Sequence, residues 1–387
     1  MHDLRNATLA GVGLALSVLP AHAATRGSET CPAVNCSVVY VGTHGDAIYA
    51  VQLDTRTGQL SRAEVAGAVE RPTSLVVDPK RAVVYAVSET GNDGKSQGSV
   101  YSLRIDPTDA KLKPLGKVAS GGGGATHVTY DVRSSTVLVA NWGGGQVSAA
   151  PVAADGSLGA LSSTQTNVGT GPLPVQFGPH AHSVAVDPSG RYVVSADLGA
   201  DRAFIYRFDS RTRILSGTSP AFETLPPGSG PRRLVFAPNG DLAFALTELS
   251  AEIFVYRWDS KAGALRPLQR LAIDDAGFTG KKSAAVIAVS QDGRFVYVSN
   301  RGDNTVVAYA VNAKSGALTL VQRIDCGGDV PWSFGLDPSG RWLVVANENS
   351  SSLAVFRIDA ASGRLTSTQQ TLSVPKPVAI AFYSARN

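Results

Sequence analysis

The chain has 387 residues, of which 43% are hydrophobic and 17% charged, a balance that excludes a disordered or highly charged scaffold. Three Cys and a single Met exclude a disulfide-built miniprotein and a Met-lined binding hub. Thirty-five basic side chains against 31 acidic leave a net +4, too weak and dispersed a charge to serve as a footprint for nucleic acid.

Taken in chain order, residues 1–23 read as an export signal. Arg5 precedes an apolar run of about a dozen residues ending at Leu19, and Pro20 leads into the small-x-small triplet Ala21-His22-Ala23. The run is too short to span a bilayer, and no later stretch is long enough, so no membrane span is expected in a periplasmic or secreted product. Residues 24–37 form an N-terminal extension whose Cys31 and Cys36 could close a small loop in an oxidising compartment. Cys326 has no obvious partner and is expected to be buried.

From Val38 onward two phrases recur. The first is an alternating strand, usually ending in Asp, then a short turn and a Leu, as in Tyr256-Arg257-Trp258-Asp259 leading to Gly263-Ala264-Leu265. Its leucines fall at 60, 112, 158, 215, 265, 318 and 365, a step of about 51 residues. The second phrase is a short apolar strand, a turn such as Asp187-Pro188-Ser189-Gly190, and a hydrophobic strand. Pro suits the second position of such a turn, and Gly accepts the positive φ that follows. Each unit holds four strands and no helix, and seven phased units predict an all-β, seven-bladed β-propeller over residues 38–387. Length alone would suggest two or three domains; the repeat makes one. The first unit lacks an innermost strand and Pro377–Phe382 supplies a spare one, so pairing of the N- and C-terminal strands is expected to close the ring.

Phasing the repeats gathers polar residues at one end of the channel. Inner strands bring Thr73, Thr126 with His127, His180-Ala181-His182, Arg232-Arg233, Ala285 and Trp332. The following strands end at Glu89, Asn141, Asp197, Glu248, Asn300-Arg301 and Asn347, with His44 in the first blade. Such convergence is a binding-site signature. An imidazole can serve as general base and adjacent guanidinium groups can stabilise an oxyanion. The nucleophile elbow of serine hydrolases is missing, and arginines beside His180 and His182 oppose a bound metal, so neither metal nor cofactor is expected. The glycine runs 121–124 and 143–145 are expected at the channel mouth, close to a ligand.

Gly178-Pro179-His180-Ala181-His182, Gly230-Pro231-Arg232, Leu246-Thr247-Glu248 and Ser299-Asn300-Arg301-Gly302 resemble segments of the seven-bladed lactonase propellers, the family of 6-phosphogluconolactonases and carboxymuconate cyclases. The resemblance covers roughly Val38 to Tyr383. It implies a catalytic set of His182, Arg232, Glu248 and Arg301. The convergence of polar residues at the channel end adds expected substrate contacts from His44, Glu89, His127, Asn141, His180, Asp197, Arg233, Asn300, Trp332 and Asn347. Arg233 and Ala288 stand where relatives often have His, and Trp332 where an Arg is usual, which argues against a phosphorylated substrate. A monomeric, metal-independent hydrolase of a sugar or organic-acid lactone follows. A non-catalytic exported propeller binding a ligand or partner protein, and a muconate-type cycloisomerase, are the alternatives.

Overall fold

The computed structural model describes residues 35–384. The expected signal segment, most of the extension and Cys31 lie outside the described residues. Among the described residues, twenty-eight strands, β1 to β28 in chain order, form seven four-stranded antiparallel sheets, with a short 3-10 turn at Pro174–Gln176. Among the described residues no helix is long and apolar enough to cross a membrane.

The innermost strands are β4 (Leu75–Asp78), β8 (Ala125–Asp131), β12 (Ala181–Val186), β16 (Pro231–Phe236), β20 (Ala284–Val289), β24 (Pro331–Leu336) and β28 (Pro377–Tyr383). Each touches the next, and β28 returns to β4, so they encircle a channel. β28 pairs with β1 (Cys36–Thr43) from Val38↔Tyr383 to Gly42↔Ala379, which closes the ring between the two ends of the chain as expected.

The second strands carry the core. In β5 (Val83–Ser88), β9 (Thr136–Asn141), β13 (Tyr192–Asp197), β17 (Leu242–Thr247), β21 (Phe295–Asn300) and β25 (Trp342–Asn347) every residue is buried. Both faces of such a strand meet a neighbouring blade, which is why sequences such as Leu242-Ala243-Phe244-Ala245-Leu246 run apolar without alternating. Outermost strands such as β19 (Ala264–Ala272) and β23 (Leu318–Asp325) are mostly exposed or half-buried instead, because no further strand covers them. The core is therefore a set of slabs between adjacent blades rather than one central mass.

The turn glycines behave as their spacing predicts. Gly263 takes φ +68° at the tip of its hairpin, where a Cβ would lie 2.3 Å from the Tyr192 ring of the neighbouring blade. Cys326 is fully buried, its thiol 3.2 Å from the Gly328 carbonyl and its pKa pushed up to about 12 by burial.

Candidate active site

The site is built by a backbone device repeated seven times. The residue just after each second strand donates its N–H to the carbonyl of the residue two positions before the channel-facing residue of the inner strand. His44 bonds Lys376 O at 3.0 Å, Glu89 bonds Arg71 O at 3.1 Å, and Trp142 bonds Gly124 O at 2.7 Å. Leu198 bonds His180 O (2.9 Å), Glu248 bonds Gly230 O (2.8 Å), Arg301 bonds Ser283 O (2.8 Å) and Glu348 bonds Val330 O (2.9 Å). Two residues past these acceptors stand Val378 and the six inner-strand positions expected to face the channel, Thr73, Thr126, His182, Arg232, Ala285 and Trp332; of these Ala285 is buried in the core between blades, and Val286 lines the cavity in its place.

A bulge re-aims the inner strand at this point. The β12–β13 register slips between Ala181 and Ser183, the β16–β17 register between Pro231 and Arg233, and the β24–β25 register between Pro331 and Ser333. An extra residue breaks the strict two-residue alternation, so His182, Arg232 and Trp332 are thrown into the channel. In β16 the effect is doubled, because Arg232 and Arg233 both line the cavity. Gly230, the carbonyl acceptor before Arg232, has φ +62°, and a Cβ there would lie 2.6 Å from Leu249. At the equivalent position in the sixth inner-strand blade, Val330 takes φ +59° despite its branched side chain, a strained conformation held at the rim of the site.

The cavity at this end has a volume of about 480 Å³. On one wall Glu248 binds two arginines at once. Its Oε2 accepts from Arg232 Nε at 2.8 Å and its Oε1 lies 2.9 Å from Arg301 Nη2. Arg232 Nη1 also bonds Ala285 O, and Arg301 Nη2 bonds Ala284 O at 3.2 Å, so both guanidinium groups are pinned to β20. Arg232 Nη2 is left with no hydrogen bond among the described residues. His182 Nε2 stands 3.7 Å from Glu248 Oε2. Burial would raise the Glu248 carboxyl, but Arg301 and Arg232 together hold it below the ordinary range. Burial, reinforced by Arg232, Arg301 and Arg233, drives His182 well below the ordinary imidazole value, so the ring is neutral near pH 7.

Trp332 caps this cluster. Its ring lies 4.4 Å from the Arg301 guanidinium and 5.9 Å from that of Arg232. His44 meets Trp332 edge-on at 4.8 Å while its Nδ1 sits 3.2 Å from Glu348 Oε1, so His44 and Glu348 buttress the indole from behind. Neither lines the cavity. His127 does line it. Its Nδ1 accepts from Val184 N at 3.2 Å, which leaves the proton on Nε2, and burial with Arg233, His182 and Arg232 keeps it neutral. Glu89 lines the opposite wall, where Asn92 Nδ2 donates to it at 3.0 Å.

Besides His44, five of the expected contacts stand off the cavity lining. Asn141, Asp197, Asn300 and Asn347 are fully buried and do not line the cavity. Asn141 Nδ2 bonds Ser120 O and Gln146 O, and Asn347 Nδ2 bonds Cys326 O. Asp197 accepts from the N–H groups of His180, Gly199 and Ala200, and Asn300 bonds Asp274 and Gly302 N. Their polarity satisfies backbone where the strands turn. The next residue along faces the channel, which is how Trp142 and Leu198 come to line it. His180 is also away from the lining, stacked on Trp142 at 3.9 Å with its Nδ1 2.8 Å from Trp142 O. The two glycine runs pack on each other and do not line the cavity, with Gly143 N bonding Gly123 O at 2.9 Å and a Cβ on Gly143 falling 2.5 Å from Gly91 O.

Among the described residues no three His, Cys, Asp or Glu side chains converge as metal ligands. The arrangement offers a neutral imidazole, two cations fixed by one carboxylate, and an apolar lid over them. That combination can accept a proton from water and stabilise a developing oxyanion.

A family model described as lactonase, seven-bladed beta-propeller, matches residues 38–382. The 6-phosphogluconolactonase of Bacillus subtilis is 35% identical over 347 residues, 89% of this chain and 97% of that protein. Among solved structures, the periplasmic gluconolactonase of Pseudomonas aeruginosa superposes with a TM-score of 0.84 at 34% identity, covering 91% of this chain and 100% of that one. A putative 6-phosphogluconolactonase of Bacteroides fragilis gives a TM-score of 0.82 at 27% identity, covering 92% and 99%.

Proposed function

We propose that this chain, which belongs to the seven-bladed β-propeller lactonase family, is a metal-independent hydrolase of a sugar or organic-acid lactone. The observation that carries the reading is the Arg232–Glu248–Arg301 clamp with neutral His182 beside it.

His182 takes a proton from water as its oxygen attacks the lactone carbonyl carbon. The carbonyl oxygen becomes an oxyanion facing Arg232 and Arg301, whose positions Glu248 fixes in advance. As the intermediate collapses, the ring C–O bond breaks and the imidazolium returns its proton to the leaving alkoxide. The product is a hydroxy acid, which releases its carboxyl proton to solvent. Trp332 covers part of the two guanidinium groups and excludes water there, which strengthens their pull on the oxyanion.

Export of the protein is part of the same reading. It draws on the pattern of residues 1–23 and on the similarity to the periplasmic gluconolactonase of Pseudomonas aeruginosa, and cell fractionation tests it.

The decisive experiment is a panel of five- and six-membered lactones, with and without chelator, against the wild type, His182→Ala and Arg232→Ala. Chelator-resistant turnover by the wild type is expected, with kcat/KM lowered by roughly 10²- to 10⁴-fold in either variant while the β-sheet circular dichroism is kept. Normal hydrolysis by both variants overturns the mechanism, and no turnover by the wild type overturns the lactonase reading.

A further inference from the structure

Arg233 is the one cavity-lining cation that the clamp does not use. The lining holds three arginines, Arg232, Arg233 and Arg301, and two carboxylates, Glu89 and Glu248. Glu248 is shared between Arg232 and Arg301, and Glu89 is held by Asn92. Arg233 has no ion pair and no hydrogen bond among the described residues. Burial alone accounts for the lowering of its pKa to about 10, with no acidic neighbour opposing the shift. It lines the same cavity as His127 and the proposed general base His182, and its charge helps to hold both imidazoles neutral.

An isolated, partly buried guanidinium is costly to keep unless something negative arrives. With both lining histidines neutral, the lining sums to one uncompensated positive charge. A single carboxylate matches that charge and also the flat fork of one arginine. A phosphate dianion would bring about twice the charge. It would also meet Trp332 stacked against Arg232 and Arg301 rather than a further cation.

We propose that Arg233 is the specificity-determining residue of the site and that it reads a free carboxylate on the substrate, making the substrate class monolactones of dicarboxylic sugar acids. The inference rests on the lactonase reading and goes one step beyond it, to the group that the ring substituent carries. In the reaction this carboxylate stays intact. Arg233 orients the ring so that its carbonyl faces Arg232 and Arg301, and His182 faces the attacking water.

The test compares D-glucaro-1,4-lactone, which carries a free carboxylate, with neutral D-glucono-1,4-lactone and with 6-phosphoglucono-1,5-lactone. The wild type, Arg233→Gln and Arg233→Lys are assayed in parallel, and D-glucarate and D-gluconate binding is measured by calorimetry. The wild type should favour the carboxylate lactone over its neutral counterpart by roughly tenfold to hundredfold in kcat/KM, the size expected of a hydrogen bond to a charged group. Arg233→Gln should collapse that ratio through KM, and Arg233→Lys should restore part of it, since it keeps the charge and loses the fork. A ratio that Arg233→Gln leaves unchanged overturns the proposal, as does a preference of the wild type for the phosphorylated or neutral lactone. If the wild type hydrolyses none of the three, the lactonase reading fails separately. D-glucarate binding still decides the subsite in that case: weakening in Arg233→Gln supports it, and equal binding overturns it. Should Arg233→Gln fail to fold, the same comparisons are read from Arg233→Lys.

Discussion

Asn141 and Trp142 are neighbours in sequence, as are Asn300 and Arg301, yet the two members of each pair belong to different regions of the molecule. The first closes its strand and is fully buried, as are Asp197, Thr247 and Asn347 at the same register. These side chains hold the turn together, as when Thr247 Oγ1 bonds Glu252 O at 3.2 Å. The second residue is lifted out of the ladder by its N–H bond to the neighbouring inner strand and points at the channel or its rim. Bracing and lining are separated by one residue. Chemistry is free to vary in the second ring, from Leu198 to Glu248 to Arg301, because the first ring already satisfies the backbone.

The division of labour between the two rings is tested most severely at Glu248. Glu248→Gln leaves two buried arginines without their shared anion, and kcat/KM is expected to fall by roughly 10²- to 10³-fold, measured at saturating and limiting lactone. Retained activity would mean that the lining ring is passive. A smaller effect is expected in the pH profile. His182 is depressed by burial and by its arginine neighbours, so it stays unprotonated until well below the ordinary imidazole range, and the acid limb of kcat/KM should lie there. As pH falls through that limb the base is protonated and activity is lost. In Arg232→Gln, which lacks one depressing cation, the limb of the residual activity should move up. The mildest expected change is at the bracing ring. Asn141→Ala removes two backbone bonds and should cost about 1–3 kcal/mol in denaturant unfolding, with kcat/KM kept within a few-fold. A loss of turnover without a loss of stability would erase the distinction between the rings.

Much of this architecture was legible in the chain. The leucines spaced about 51 residues apart and the turn glycines set the number of blades, and the unpaired ends foretold the β28–β1 seam. The inner-strand positions His182, Arg232 and Trp332 are legible too, because the bulge falls at the same place in those three blades. The second ring was harder to phase. A polar residue at a strand end can equally well satisfy a turn or face a ligand, and residue type alone does not separate Asn141 from Glu248. Counting one position further, to Trp142 and Leu198, would have required knowing where the N–H bonds to the inner strands fall. The isolation of Arg233 was likewise invisible, since it depends on which carboxylates are already engaged in three dimensions.

The placement of the four tryptophans gives the protein its own optical reporter. Trp258 and Trp342 are tied into the blades far from the cavity, their indole N–H groups bonding Asp187 and the Thr55 carbonyl. Trp142 and Trp332 line the cavity, the latter against two guanidinium groups whose field changes when an anion enters. Intrinsic emission is therefore expected to change when the cavity fills, with Trp258 and Trp342 as a constant background.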